Sequence, residues 1–154
     1  GGTGSLSIQQ EMPDFLPDRL EAGTHNVPGI AGLLEGVRFI RRVGADQICY
    51  HERLLARQAF LGLSALPGVR AYARPDLAHQ AGVLSFTAEG HDVEQIASAL
   101  GQQDIAVRAG LHCAPSAHRQ AGTLESGTVR VSFSHWNTMG EVEQFLDAMR
   151  RILR

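Results

Sequence analysis

The sequence predicts an α+β fold in which a small, mostly antiparallel sheet is covered by helices on one face. Three observations lead to this class. Val129, Val131 and Phe133 alternate with polar residues, which is the period of a half-buried strand. The last 15 residues carry an apolar stripe with helical spacing. Between the termini, short strand-like segments are interspersed with amphipathic ones, as in α+β domains.

Bulk composition limits the classes of function. The 154 residues suit a single domain, and the net charge of −2 gives no basic surface for nucleic acid. No apolar run approaches the ~20 residues that span a bilayer, so we expect no membrane segment. Cys49 and Cys113 lie in different contexts and do not suggest a disulfide framework. We therefore expect a reducing, cytoplasmic environment.

The first half of the chain predicts an irregular segment followed by two helices. Residues 1–26 show no sustained period, and the domain proper is expected to cover residues 27–154. Helical spacing of apolar residues from Ile30 to Ile40 predicts a first helix that ends at Gly44. A second helix is expected from about Ala45 to Leu66. Cys49 lies inside it and is expected to be a small packing residue.

The second half predicts the sheet and the remaining helices. Strands are expected over residues 69–74, 82–87, 105–108 and 128–133. Asp92 is placed to cap a helix that runs to about Leu100. An irregular loop is expected from the third strand to Gly127. Thr138 and Glu141 form a capping-box pattern at the start of the last helix.

The loop after the third strand holds the first candidate for chemistry, Cys113. His112 and His118 could take its proton, and Arg108 and Arg119 add positive charge. Since the thiolate is the nucleophile and positive charge favours it, this context suits nucleophilic or sulfur-transfer chemistry. A loop cysteine without a role is the alternative. A metal site is not expected, because the spacing of these residues and His135 matches no standard zinc pattern.

Two further segments are suited to anions. Arg130 lies mid-strand on the side opposite Val129 and Val131, where a guanidinium could hold a carboxylate bidentately. The alternative is that Arg130 lies on a solvated sheet face or forms a structural ion pair. Gly23 and Thr24 precede the first helix, where backbone N–H groups and a hydroxyl suit phosphate. The alternative there is an ordinary helix cap by Thr24 or Asn26.

The chain contains no lysine, because all 14 residues counted as Lys or Arg are arginine. Chemistry that needs a Schiff-base lysine therefore cannot be completed by this polypeptide alone.

Three ordered motifs carry a resemblance to a known family. Residues 21–26 read EAGTHN, residues 108–115 read RAGLHCAP and residues 127–133 read GTVRVSF. The chain resembles the C-terminal part of the cysteine desulfurase group of the class V aminotransferases. Members of that group use pyridoxal 5'-phosphate to take sulfur from L-cysteine. They release alanine and leave a persulfide on an active-site cysteine.

The resemblance implies a role for each matched residue. Cys113 matches the catalytic nucleophile and Arg130 the arginine that binds the substrate carboxylate. Gly23 and Thr24 match the loop that reaches the cofactor phosphate of the other subunit in a homodimer. We also assign His112 to substrate binding.

The resemblance also implies a missing part. The family's cofactor-binding lysine lies upstream, in a large domain that residues 1–26 would join to this one, so we expect the isolated chain to be inactive. A sulfur-acceptor protein is a possible partner of the longer protein. The alternatives are another class V enzyme, namely an aminotransferase, an epimerase or a selenocysteine lyase, and a non-catalytic sulfur-acceptor module.

Overall fold

The computed structural model describes residues 6, 8–21, 23–74, 76 and 79–154. The described helices are α1 (Val27–Val43), α2 (Ala45–Ser64), α3 (Val93–Gly101), α4 (Pro115–Ala121) and α5 (Met139–Ile152). The described strands are β1 (Val69–Tyr72), β2 (Val83–Ala88), β3 (Arg108–Gly110) and β4 (Thr128–Ser132). The chain divides into two compact units, residues 1–43 and residues 44–154.

The first unit contains a short 3-10 turn, Asp18–Leu20, and helix α1. The side chain of Asn26 caps α1, since its Oδ1 accepts a hydrogen bond from the N–H of Gly29 at 3.0 Å. The helical stripe predicted from sequence is present, but its side chains are 45–70% exposed: Ile30, Leu33, Leu34, Val37 and Ile40. An apolar stripe of this length at the surface is typical of an interface.

The second unit is built on an antiparallel sheet with the strand order β1-β2-β4-β3. Leu84 pairs with Val131 and Phe86 with Val129, and these four side chains are buried on the same face. Helices α2, α3 and α5 supply the rest of the core on that face, through Leu55, Leu63, Ile96, Leu100, Leu146 and Met149. The predicted α+β class, with a mostly antiparallel sheet, is confirmed.

Two predicted helix caps are also confirmed. Oδ1 of Asp92 accepts from the N–H groups of Glu94 and Gln95, both at 3.0 Å. Thr138 and Glu141 form the complete capping box, with 2.6 Å from the Thr138 N–H to the Glu141 carboxylate. These bonds fix where α3 and α5 begin.

Three sequence-based expectations are wrong. The third strand begins at Arg108 instead of Ile105, because Ile105 and Val107 pack against the core without pairing to β4. Helix α4 occupies residues predicted to be an irregular loop; its seven residues are too few to show an apolar period. Cys49 is exposed and does not pack in the core, since it lies on the outer side of α2.

Within the described part of the chain, no helix combines the length and the apolar character that a bilayer span requires.

Helices α2 and α5 approach closely at Gly62. A Cβ atom at this position would collide with the side chain of Leu146. We expect Gly62→Ala to lower the free energy of unfolding by about 1–3 kcal/mol, because a well-packed core tolerates added methyl groups poorly. Urea unfolding followed by circular dichroism measures the change.

Gly101→Ala is the matched control, since a Cβ at Gly101 meets nothing within 4 Å. An equal loss of stability in both variants would show that α2 and α5 are not in close contact at Gly62.

Candidate active site

The segment that carries Cys113 is closed at its base by two glycines. Gly110 ends β3 and Gly127 precedes β4, and both have positive φ, 106° and 67°. A Cβ on Gly127 would lie 2.9 Å from Cα of Gly110, closer than real Cβ atoms come to other atoms. Only glycine therefore permits this approach of the two backbones, and the 16 residues between them form a closed loop.

Cys113 lies at the tip of a tight turn. The N–H of Ala114 donates to the carbonyl of Leu111 at 2.9 Å, and the two central residues, His112 and Cys113, have φ of 51° and 57°. Two positive φ values define a type I′ turn, which glycine and asparagine favour. Holding a cysteine there costs about 1 kcal/mol or more of backbone strain, and the turn leaves its thiol exposed.

Helix α4 follows directly and is anchored by a buried histidine. His118 is 6% exposed, and its Nδ1 lies 2.8 Å from the hydroxyl of Thr123. Gly122 adopts φ of 73° and ends the helix. These contacts hold α4 beside the turn, where the rings of His112 and His118 are 5.9 Å apart.

His112 is tied to β4 through Thr128. Its Nε2 lies 3.1 Å from the carbonyl oxygen of Thr128 and 3.2 Å from its hydroxyl oxygen. Because a carbonyl can only accept, Nε2 must carry the proton and donate. Nδ1 of the same ring is buried and has no hydrogen-bond partner among the described residues.

Burial on this side of the sheet keeps His112 neutral. Desolvation is the largest influence and lowers the pKa of the imidazole below 6.5, while the hydrogen bond to the Thr128 backbone raises it. The positive charges of Arg130 and Arg108, together with His118, lower the pKa further. At neutral pH the ring is therefore uncharged, with its proton on Nε2.

The sheet face opposite α2, α3 and α5, called the open face below, carries two arginines at paired positions. Arg130 on β4 is directly opposite Arg108 on β3 and opposite Ser85 on β2. Nε of Arg130 is buried and lacks a hydrogen-bond partner in the described part of the protein. Like charges at paired positions are unfavourable without an anion between them. The open face is thus suited to a carboxylate.

A cleft of about 340 Å³ adjoins the same face. Tyr72, Ser85 and Thr128 form its sheet side and residues 117, 118 and 121 of α4 its other side. It brings His118 and Thr128, which both belong to the surroundings of His112, to two sides of one cleft.

The predicted site residues fall into two groups. Cys113, His112 and Arg130 lie in the second unit, around the open face and the turn above it. Gly23 and Thr24 lie in the first unit, just before α1. His135 lies apart from the turn residues and packs against the rings of His51 and Trp136. Across the described residues, no three His, Cys, Asp or Glu side chains are grouped to hold a metal ion.

Sequence reasoning missed Thr128 and Thr123, the hydroxyl partners of the two histidines. Thr128 could have been found, because the period-two pattern of β4 puts it on the same face as Arg130. Thr123 follows the unpredicted helix α4, and no local pattern indicates its contact with His118.

The lowered pKa of His112 predicts a pH dependence of stability. Between the folded value and about 6.5, the unfolded chain binds a proton that the folded chain does not. The contribution of His112 is therefore fully present above about pH 6.5 and is lost as pH falls below it. We expect wild type to lose more unfolding free energy than His112→Gln between about pH 7 and pH 5.

Urea unfolding of both proteins at each pH provides the measurement, and the histidines that do not interact with His112 cancel in the difference. A difference that does not change with pH would mean that His112 titrates normally.

Comparisons with known proteins identify the family of the chain. The model of the family "Aminotransferase class-V" matches residues 1–145. A protein named "Probable cysteine desulfurase" from Mycolicibacterium paratuberculosis is 43% identical over 147 residues, 96% of this chain and 21% of that protein. The cysteine desulfurase of Synechococcus elongatus is 40% identical over 147 residues, 96% of this chain and 23% of that protein.

A solved structure gives the same result. The apo cysteine desulfurase of Thermococcus onnurineus NA1 superposes with a TM-score of 0.80 at 39% identity, over 89% of this chain and 34% of that one. The chain thus spans about a fifth to a third of the length of these relatives. With a family model that matches nearly its whole length, the chain belongs to the class V aminotransferases.

Proposed function

We propose that the chain is the C-terminal part of a cysteine desulfurase, which converts L-cysteine to L-alanine with pyridoxal 5'-phosphate and leaves a persulfide on Cys113. The observation that carries the proposal is the exposed Cys113 thiol in a strained turn, next to an open face on which Arg108 lies opposite Arg130. Similarity to proteins named as cysteine desulfurases supports it.

Arg130 is the proposed carboxylate-binding residue. Its guanidinium lies on the open face beside Arg108, and its buried Nε–H has no partner among the described residues. An incoming carboxylate would therefore satisfy a donor and relieve the repulsion between the two arginines. His112, on the same side, is the proposed second substrate contact.

Cys113 is the proposed nucleophile. Its thiolate forms a bond to the sulfur of the substrate as the bond between that sulfur and Cβ breaks. The electron pair of the broken bond stays on Cβ, which takes up a proton to give alanine. Cys113 is left as a persulfide, whose outer sulfur a thiol acceptor can remove. Exposure of Cys113 suits both the attack and the transfer.

The residues before α1 fit a phosphate group. A Cβ at Gly23 would meet nothing within 4 Å, and the exposed Thr24 makes no hydrogen bond to another described residue. Gly23 and Thr24 would thus hold the cofactor phosphate of the second subunit. The bound cofactor supplies an electron sink for the substrate. Its lysine must come from outside this lysine-free chain, so we propose that the chain alone is inactive.

Further parts of the proposal concern the longer protein. The exposed apolar stripe of α1 suits contact with protein outside this chain, either the rest of the polypeptide or a second copy in a homodimer. A sulfur-acceptor partner and a cytoplasmic location stay predictions.

The role of Cys113 is tested in the longer protein that carries this sequence. We expect Cys113→Ala to reduce alanine release from L-cysteine by about a thousandfold or more, because no other group supplies the sulfur nucleophile. Cys49→Ala is the control, since that exposed thiol lies on α2, outside the proposed site. Full turnover by Cys113→Ala would refute the persulfide role.

The role of Arg130 is tested by two substitutions in the same protein. Arg130→Ala is expected to cost about 3 kcal/mol in transition-state binding, on the order of a hundredfold in kcat/KM for L-cysteine. Arg130→Lys keeps the charge without the bidentate geometry and should recover part of the loss.

The pattern of losses separates the alternatives. If Arg130 is essential and Cys113 dispensable, another class V reaction is the function. If this chain by itself accepts sulfur from a persulfide donor, and no longer protein releases alanine, the acceptor module is the function.

A further inference from the structure

Nδ1 of His112 is an acceptor that none of the described residues uses. Donation from Nε2 to the carbonyl and the hydroxyl of Thr128 fixes the proton on Nε2, and Nδ1 then presents a lone pair. That atom is buried and has no hydrogen-bond partner among the described residues. Buried acceptors without a partner are rare in native proteins and call for a donor from outside the described residues.

The surroundings of His112 limit what that donor can be. Arg130 from β4, Arg108 from β3 and His118 from α4 are the titratable groups that face it, and none of them donates to Nδ1. The arginines take the carboxylate of the substrate in the proposed function. The amino group of an amino acid must react with the cofactor, so among the groups of the substrate the thiol of cysteine is the donor that remains.

We propose that Nδ1 of His112 accepts a hydrogen bond from the thiol of the cysteine substrate, and that Thr128 is the positioning residue that holds the ring in the required tautomer. This inference rests on the proposed function and deepens it, because it names the atom that recognises the sulfur of the substrate. His112 acts here as a neutral acceptor and not as a base: the thiol proton stays on sulfur and becomes the terminal S–H of the persulfide.

The charges around the ring favour that role. A proton on Nδ1 would place an imidazolium beside Arg130 and Arg108 and would turn the acceptor into a donor. His112 therefore recognises a thiol only while it is neutral, and recognition is lost as pH falls through its lowered pKa.

A matched pair of amides separates acceptance from anchoring. Glutamine can place an amide N–H where Nε2 donates to Thr128 but offers no acceptor at the position of Nδ1. Asparagine places an amide oxygen near Nδ1 but is too short to reach Thr128, and it tolerates the positive φ of His112. In the longer protein, we expect His112→Gln to raise KM for L-cysteine about tenfold with a smaller change in kcat, and His112→Asn to stay within about threefold.

A larger rise of KM in His112→Asn than in His112→Gln would overturn the inference. Glutamine is the better replacement for a ring that only anchors the turn. The Cys113→Ala assay separates this outcome from a failure of the proposed function: desulfurase turnover that depends on Cys113 together with a wild-type KM in His112→Gln would refute only the role of His112.

The tautomer is measured directly, without substrate or cofactor. Nitrogen-15 NMR of the labelled chain at neutral pH is expected to show His112 with a protonated Nε2 and an unprotonated Nδ1. Thr128→Val removes the hydroxyl but keeps the carbonyl and should lower the population of this tautomer, whereas Thr128→Ser should not.

The pH dependence of KM for L-cysteine supplies the second readout for Thr128. The pH below which KM rises should shift in Thr128→Val but not in Thr128→Ser. A protonated Nδ1 at neutral pH would overturn the inference. A Thr128→Val protein with wild-type tautomer and pH profile would refute the positioning role of the Thr128 hydroxyl, because the carbonyl alone would then hold the ring.

Discussion

The close approach of Gly110 and Gly127 determines how the rest of the proposed site is held. At this point the backbone of β3 passes so near the residue before β4 that no side chain fits. The segment between them is thus a short closed loop with fixed ends, and the entropic cost of closing it is only a few kcal/mol at this length. The turn with Cys113, helix α4 and the buried His118 all lie within it. Their placement over the open face follows from the two glycines.

The two faces of the sheet have opposite roles. Leu84, Phe86, Val129 and Val131 bury one face against three helices and supply most of the stabilisation. The other face carries Arg108 opposite Arg130, and Nδ1 of His112 on that side has no partner among the described residues. Each of these features is unfavourable without a ligand, and the packed face offsets them. Such a pairing of a well-packed face with an unfavourable one is expected at a site that is preorganised to bind an anion.

The regular parts of the fold could be predicted from sequence because their signals are local. Period two located β4 and placed Thr128 and Arg130 on one face, and β-forming residues located β2. The helical period located α1, α2 and α5. The caps at Asp92 and Thr138 were read from the side chains that make them. Exposure of α1 and of Cys49 could not be predicted, because a period shows that one side is apolar but not whether anything covers it.

The remaining errors concentrate between Ile105 and Ala121, and the reason is physical. Ile105 and Val107 have strand-like sequence but leave β4 to pack on the core, so the pairing starts only at Arg108. His112 and Cys113 adopt a turn that glycine or asparagine would favour. Helix α4 is held by the contact of His118 with Thr123 instead of an apolar stripe. In each case a tertiary contact overrides local preference, and natural proteins depart from local rules in this way mainly at functional sites. The place where sequence reasoning fails is thus itself an argument, independent of family resemblance, that the turn with Cys113 is where the protein acts.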